Sequence, residues 1–244
     1  MASTPARTVR QRAREELTRE LVAAARRQLA DVGPAALSLR AVARELGLAS
    51  SAVYRYVRGR DELLTLLIIE AYDSLGDAVE RAEGEVDRGD LMGRWAATCH
   101  ATRRWAIDHP YEHALIFGSP VPGYAAPETT IEPATRVPRV LIALLVDAVD
   151  GGQIDPRALP ALDPTVGQSL APVRHDMPAE VPDELVARGI LAWTTLVGTI
   201  SFELFGHTHN VVVDDDPVLR TAFFADQMRR MASIVGLVDV RTGE

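Results

Sequence analysis

The stretch that decides the fold is residues 37–63, LSLRAVARELGLASSAVYRYVRGRDEL. Apolar residues recur at helical spacing on both sides of Gly47, and Ser38 stands where a helix N-cap is expected. The small Ala43 falls where two short helices would have to approach closely. The stretch therefore predicts a helix-turn-helix unit with its turn at Gly47 and its second helix over about residues 50–57. By spacing alone, a purely structural helical hairpin fits equally well.

Charge is distributed unevenly along the chain, whose formal net charge is -8. Residues 1–60 contain 12 arginines against 5 acidic residues, a balance of +7 that leaves -15 for the remainder. A basic head on an acidic body is typical of a protein that binds nucleic acid with one end only, because the acidic part repels phosphate. The arginine bias therefore favours DNA binding over the structural hairpin.

Composition excludes several classes of protein. All 26 basic residues are arginine, which excludes a lysine-dependent phosphate loop and a lysine Schiff base. The signatures GxSxG, HExxH and CxxC are missing, so we expect neither an enzyme nor a bound cofactor. One cysteine, Cys99, cannot form an internal disulfide, and neither a secretion signal nor a membrane span is visible. We expect a cytoplasmic protein without membrane contact.

Helical periodicity continues through the rest of the chain, and nothing alternates like a strand. The sequence therefore predicts an all-α protein with a three-helix head and a larger helical body. Two long connections interrupt the helices, at about residues 119–130 and 151–182. The second contains six prolines, and we expect it to flank or cover a ligand entrance.

Residues 37–63 resemble the DNA-binding domain of TetR-family transcriptional regulators. That pattern is a short helix with a small central residue, a Gly-apolar pair, a small polar stretch, an apolar-Tyr pair and a basic residue that opens the next helix. The matching positions are Leu46, Gly47, Leu48, Val53, Tyr54, Tyr56, Arg60, Asp61, Glu62 and Leu63. Three positions depart from it: Tyr56 stands where His is common, Val57 where Phe is common and Ala52 where Thr is common.

Residues 95–127 resemble the C-terminal domain of a TetR subgroup named for its Trp, His and Gly signature positions, here Trp105, His109 and Gly118. The resemblance implies a DNA-binding domain over residues 1–60 and a ligand-binding and dimerisation domain over residues 61–244. The predicted function is a repressor of operator DNA that a small apolar or amphipathic ligand releases. A dimeric regulator without an effector is the alternative. A third hypothesis is an enzyme, but the sequence shows no nucleophile with a base nearby.

Contacts to DNA are expected from the start of the second helix, which enters the major groove, and from its flanks. Short polar or long bidentate side chains suit base edges, whereas tyrosine hydroxyls and flanking arginines suit phosphates. The candidates for base edges are Ser50, Ser51 and Arg55. The candidates for phosphates are Tyr54, Tyr56 and Arg60, and the resemblance implies that Ser38 and Arg40 contact the DNA backbone or a base. Tyr54 equally suits a core position with a solvated hydroxyl.

A ligand cavity and a dimer interface are expected in the body, where ordinary core packing is the alternative for each residue. The cavity candidates are Trp95, Cys99, Thr102, Ile116, Phe117, Trp193 and Phe205. The resemblance implies that the last two long helices form a four-helix interface with a second subunit. The interface candidates are Leu191, Thr195, Gly198, Thr199, Phe202, Phe224, Met228 and Met231. No metal site is expected, because the pairs His109/His113 and His207/His209 need further ligands.

Overall fold

The computed structural model describes residues 9–154, 160–174, 181–212 and 216–237, and in these ranges the chain forms helices and connections but no strand. The all-α prediction is confirmed. The helices are α1 (Val9–Val32), α2 (Leu39–Glu45), α3 (Ser50–Val53), α4 (Arg60–Gly84), α5 (Leu91–Asp108), α6 (Pro110–Phe117), α7 (Ile131–Ala134), α8 (Arg136–Asp150), α9 (Pro164–Ser169), α10 (Ala171–Arg174), α11 (Asp183–Leu204) and α12 (Pro217–Val235).

The chain divides into two compact units. The head unit comprises Met1–Tyr72 and His109–Pro133, and the body unit comprises Asp73–Asp108 and Ala134–Glu244. The sequence placed its boundary after residue 60, whereas the structure places it inside α4, because the first half of that helix packs in the core of the head. Leu115 and Val121 are also buried in that core, so residues 109–133 belong to the head.

The apolar periodicity of the first 70 residues builds the core of the head. The buried side chains on α1, α2, α3 and α4 include Leu21, Ala25, Leu29, Val42, Ala43, Val53, Leu64 and Leu67. Two ion pairs join other parts of the same unit, from the guanidinium of Arg26 to Glu70 at 2.7 Å and to Glu112 at 3.1 Å. The second of these pairs links α1 to α6.

The turn between α2 and α3 depends on glycine. Gly47 has a φ of +66°, and the N–H groups of Gly47 and Leu48 donate to the carbonyls of Arg44 at 3.1 Å and Ala43 at 2.8 Å. This pair of hydrogen bonds is a Schellman C-cap, which requires a left-handed residue at the position of Gly47. The left-handed conformation therefore aims α3 relative to α2.

We expect Gly47→Ala to lower the free energy of unfolding by about 1–2 kcal/mol, because a residue with a Cβ is strained in the left-handed conformation. A Cβ at this position meets no atom within 4 Å, so backbone strain is the whole effect. Gly59→Ala is the matched control, since that position is equally open and its φ is not positive. Urea denaturation would measure both variants. Equal stability of the two would contradict the assignment of the turn.

In the body unit α5, α8, α11 and α12 pack around a core of large apolar side chains. Trp95 is 1% exposed, and its indole N–H donates to the carbonyl of Met228 at 2.9 Å, which joins α5 to α12. The guanidinium of Arg136 on α8 bonds to carboxylates on α4, those of Asp77 and Glu80, both at 2.6 Å. The core therefore contains aromatic anchors and is tied at its edge by ion pairs.

Helix α11 is long and apolar enough to cross a membrane by length and composition, with a mean hydropathy of 1.5 over its best window. Core helices of globular proteins meet the same criterion. Its residues Leu185, Ala192, Leu196 and Ile200 are buried in the body unit, so part of its apolar character is explained by the core. Other apolar residues of the helix, among them Leu191 and Phe202, are exposed.

The two predicted connections differ in the structure. Residues 119–127 form no regular element, and a short 3₁₀ turn follows at Glu128–Thr130. The connection over residues 151–182 contains the short helices α9 and α10, which the sequence did not predict. Its residues 155–159 and 175–180 lie outside the described ranges. Its expected role beside a ligand entrance stays a prediction.

Candidate functional site

Helix α3 has a buried side and an exposed side. It continues past its last α-helical residue as a helical turn, in which the N–H groups of Tyr56 and Val57 bond to the carbonyl of Val53 at 2.9 Å and 3.1 Å. Val53 and Val57 are fully buried, whereas Ser51 and Arg55 are exposed. The predicted helix over residues 50–57 is therefore present as one α-helical turn and its continuation.

The two tyrosines differ in exposure. Tyr54 is 49% exposed, which favours the expected hydroxyl contact over the core reading. Tyr56 is half-buried, its ring packs against the core of the head, and the guanidinium of Arg14 lies 5.9 Å from the centre of that ring. Ser50 is half-buried at the first residue of the helix. The hydroxyls of Tyr54 and Tyr56 stay candidates for phosphate contacts, and that of Ser50 stays a candidate for a base edge.

Ser38 occupies the N-cap position of α2, but its side chain does not cap the helix. Its N–H donates to the side-chain carbonyl of Gln28 at 2.7 Å, and its hydroxyl makes no capping hydrogen bond. Arg40 is exposed in the first turn of the same helix. The expected contacts from the front of α2 to the DNA backbone or a base stay a prediction.

Arg60 has a structural role that the sequence did not predict. Its guanidinium donates to the carbonyls of Pro34 at 2.9 Å and Ala35 at 3.2 Å, and its side chain is 30% exposed. These bonds tie the start of α4 to the 3₁₀ turn after α1. No local sequence pattern predicts this contact, because Arg60 and Pro34 are 26 positions apart in the chain. A DNA contact by Arg60 stays a prediction, and replacing it would also disturb the head.

The exposed arginines around α3 are free to meet an anion. Arg40, Arg55 and Arg58 have no ion-pair partner among the residues that the structure describes, whereas Arg27 pairs with Glu45 at 2.7 Å. A surface with uncompensated guanidinium groups attracts the phosphate backbone of nucleic acid. Together with the hydroxyls nearby, these arginines make the exposed side of α3 the candidate nucleic-acid interface.

The predicted ligand cavity is not assembled from the predicted residues. Trp95, Cys99 and Thr102 are buried in the core of the body, and burial raises the pKa of the Cys99 thiol. Ile116 and Phe117 belong to the head unit, where the ring of Phe117 lies 5.9 Å from that of Tyr72. Trp193 is half-buried and Phe205 is 43% exposed on or just after α11. Those in the body lie outside the cavity described next.

A cavity of about 340 Å³ lies in the body unit between α11 and α12. Its wall includes four residues that the sequence assigned to the dimer interface on α11: Thr195, Gly198, Thr199 and Phe202. From α12 it includes Arg220, Phe223, Phe224 and Gln227. We call this feature the α11/α12 groove. The cavity was not predicted, because the periodicity of one helix does not show how it packs against the next.

On α11 two of the predicted interface residues are exposed, whereas the predicted interface residues on α12 are buried. Leu191 and Phe202 are 45% and 58% exposed. Phe224, Met228 and Met231 are buried at 1%, 2% and 6%, so they belong to the subunit core and the prediction for them is corrected. Helix α12 has two apolar stripes, and the exposed one contains Leu219 (46%), Phe223 (42%) and Ile234 (51%). Periodicity alone could not tell which stripe faces the core.

No group of three or more His, Cys, Asp or Glu side chains could hold a metal ion within the described parts of the chain. His109 faces Glu112, with 3.7 Å between Nδ1 and the carboxylate. Burial lowers the pKa of His113 to about 4, which keeps its imidazole neutral at ordinary pH. The ring of His207 packs on Phe202 at 5.1 Å between centres. The discounted histidine pairs are thus placed in protein contacts.

Two family models match the chain. One, described as bacterial regulatory proteins of the tetR family, matches residues 21–67 and so spans the helix-turn-helix. The other, described as a tetracyclin repressor-like C-terminal domain, matches residues 95–230. The matched ranges contain the exposed side of α3 and the α11/α12 groove respectively.

The chain is similar in sequence to transcriptional regulators of known name. The HTH-type transcriptional regulator Rv1816 of Mycobacterium tuberculosis is 38% identical over 227 residues, which cover 93% of this chain and 95% of that protein. The HTH-type transcriptional repressor DrrR1 of Streptomyces coeruleorubidus is 36% identical over 116 residues, 45% of this chain and 39% of that protein. The crystal structure of SCO4313, described as a regulatory protein, has a TM-score of 0.74 at 31% identity and covers 93% of this chain and 100% of that one. None of these names indicates a catalytic activity.

Proposed function

This chain belongs to the TetR family of bacterial transcriptional regulators, and from this premise we propose that it is a dimeric repressor that a small ligand releases from its operator. Regulators of this kind are generally not enzymes, and they act in the cytoplasm, where the DNA is. The repressor direction is supported by the name of the partial relative DrrR1. The observation that carries the proposal is the exposed side of α3, whose arginine has no ion-pair partner in the described chain.

In the proposed complex the exposed side of α3 enters the major groove. Arg55 and Ser51 reach base edges, because a long bidentate donor and a short hydroxyl are the side chains that read them. Tyr54, Ser38 and Arg40 contact phosphates on the flanks, which fixes the register of the helix on the duplex. Arg60 supports this surface through its bonds to Pro34 and Ala35 and adds positive charge beside it.

The proposed dimer pairs the exposed sides of α11 and α12. Leu191 and Phe202 on one helix and Leu219, Phe223 and Ile234 on the other present large apolar side chains to solvent. We infer that these exposed side chains form a protein interaction site, and a two-fold dimer presents two heads to two half-sites about one DNA turn apart, roughly 34 Å. The exposed stripes thus supply the symmetry that operator recognition needs.

We also propose that the chain belongs to the subgroup with Trp, His and Gly signature positions. The indole N–H of Trp105 donates to the hydroxyl of Ser74 at 3.0 Å, and His109 occupies the N-cap position of α6. Gly118 ends α6, where a Cβ would lie 2.3 Å from the carbonyl oxygen of Ala114. No larger residue fits there without moving the backbone, which supports a structural reason for the glycine.

We expect Arg55→Ala to reduce the ratio of operator to random-duplex affinity by about tenfold or more, because a bidentate arginine contributes about 1–3 kcal/mol of discrimination between bases. Fluorescence anisotropy with both duplexes at fixed salt would measure it. Arg58→Ala is the matched control, since Arg58 is an equally exposed arginine that we assign no base contact. An unchanged ratio for Arg55→Ala would remove α3 as the reading helix.

A regulator without an effector is the second candidate. The α11/α12 groove favours the ligand-responsive function, since a protein that only pairs its heads needs no such cavity. A ligand acts if it prefers the non-binding arrangement of the heads by a few kcal/mol. If operator affinity is the same with and without every molecule that binds the body, the second candidate is correct.

A further inference from the structure

We propose that the α11/α12 groove binds an amphipathic carboxylate, with its anionic head on Arg220 and its apolar body against Phe202 and Phe223. The proposal rests on the ligand response proposed above and names the site and the chemical class of the ligand. It also moves the ligand from the buried residues of α5 to the face through which we propose that the subunits pair.

The groove carries a net positive charge. Glu203 lines it, but both of its carboxylate oxygens accept hydrogen bonds from Arg103, at 2.5 Å and 2.7 Å. The paired geometry neutralises that acid, so it does not repel an anion. Arg103 is held in place by the ring of Phe224, whose centre lies 5.3 Å from the guanidinium carbon. Among the described residues that line the groove, the charge that remains is that of Arg220.

No partner in the described ranges satisfies the charge of Arg220. Its guanidinium forms no hydrogen bond or ion pair with any residue in the described ranges, and its Nε is buried from solvent. The side-chain oxygen of Gln227, about two helical turns further along the same side of α12, is likewise buried without a hydrogen-bond partner. Buried polar atoms without partners cost stability, and a carboxylate that accepts from the Nε–H of Arg220 offsets the cost at that atom.

The rest of the wall contains three threonines beside apolar side chains, and two of its aromatic residues are exposed. Phe202 is 58% exposed and Phe223 is 42% exposed, which leaves two aromatic faces for the body of a ligand. A Cβ on Gly198 would meet no atom within 4 Å, so the floor has free space. A cavity of about 340 Å³ is at the lower end of the size range of small-molecule sites. These features fit a compact molecule with one carboxylate and one aromatic or aliphatic body.

The location gives the ligand a direct effect on the proposed dimer. The groove opens on the exposed apolar stripes of α11 and α12, so an occupant would lie between the paired subunits. A molecule held there shifts the packing of the two subunits if it prefers one of their arrangements, and the separation of the heads follows. The competing occupant is a side chain of the second copy itself.

Isothermal titration calorimetry of the full-length protein with 4-phenylbutanoate and its neutral counterpart 4-phenyl-1-butanol tests the proposal. We expect saturable binding of the carboxylate, and binding weaker by at least about tenfold for the alcohol and for Arg220→Gln, because a charge-assisted hydrogen bond is lost in both cases. Arg220→Lys should recover part of the affinity. Arg229→Gln is the matched control, because Arg229 lies on the same helix, is 63% exposed and pairs with Asp226; it should bind as the wild type does.

Two results overturn the proposal. One is equal binding of the carboxylate by wild type and Arg220→Gln. The other is no binding by wild type together with weaker dimerisation of Arg220→Gln in light scattering, which would assign the groove to the second copy. Either result leaves operator binding by the wild type untouched. Loss of operator binding with the carboxylate site intact would instead contradict the repressor function.

Discussion

Replacing Leu191 and Phe202 together by arginine should turn the protein into a monomer in solution and weaken operator binding by about two orders of magnitude or more. Both side chains are exposed in the subunit, at 45% and 58%, so the change does not disturb the core. In the proposed dimer they would meet apolar groups of the partner, where charged residues cost free energy. Two linked heads gain about 10²–10⁴ in affinity over one, and a monomer loses this gain.

Light scattering coupled to gel filtration measures the mass, and anisotropy with operator duplex measures the affinity. Ile107→Arg is the matched control, because Ile107 is 43% exposed on α5 and outside the proposed face. It should leave both the mass and the affinity unchanged. A double variant that stays dimeric would place the interface elsewhere, and a monomer with full operator affinity would contradict the need for paired heads.

Arg94→Met should lower the free energy of unfolding by about 3 kcal/mol, the lower end of the cost of breaking a buried ion pair. Arg94 is 1% exposed, and its guanidinium bonds to Glu83 at 2.5 Å and to Asp147 at 2.8 Å. Removing the cation leaves two carboxylates of α4 and α8 facing an apolar side chain. The cost stays near the lower end because Arg88 still reaches Asp147 at 2.7 Å.

Arg88→Met is the control for this prediction. Arg88 contacts the same carboxylate but is 69% exposed, and exposed ion pairs contribute about 1 kcal/mol or less. Guanidinium chloride would screen these ion pairs, so urea denaturation is the suitable measurement. If the two variants lose the same stability, the burial of Arg94 does not strengthen its ion pairs.

Local patterns in the sequence were enough for the helices of the head and for the turn that joins α2 and α3. Gly47 predicted the turn because the C-cap needs a residue that tolerates positive φ, and the structure gives it φ +66°. The exposure of Arg55 also follows from a helix with Val53 and Val57 on its other side. These features are decided by residues within a few positions of one another.

Features that depend on distant residues were missed. The bonds of Arg60 to Pro34 and Ala35, and the inclusion of residues 109–133 in the head, arise from contacts that no periodicity encodes. Helix α12 shows the limit most clearly, because its two apolar stripes look alike in sequence. Packing against α5 buries Met228 and leaves Phe223 exposed.

Selection of binding sequences from a random pool of duplex DNA is the decisive experiment for the proposed operator recognition by α3. We expect the wild-type protein to enrich an inverted repeat whose half-sites are about one helical turn apart, roughly 34 Å, and Arg55→Ala to relax the base preference within each half-site. Enrichment of no duplex at low ionic strength, or of a motif that Arg55→Ala reads as sharply as the wild type does, would contradict it.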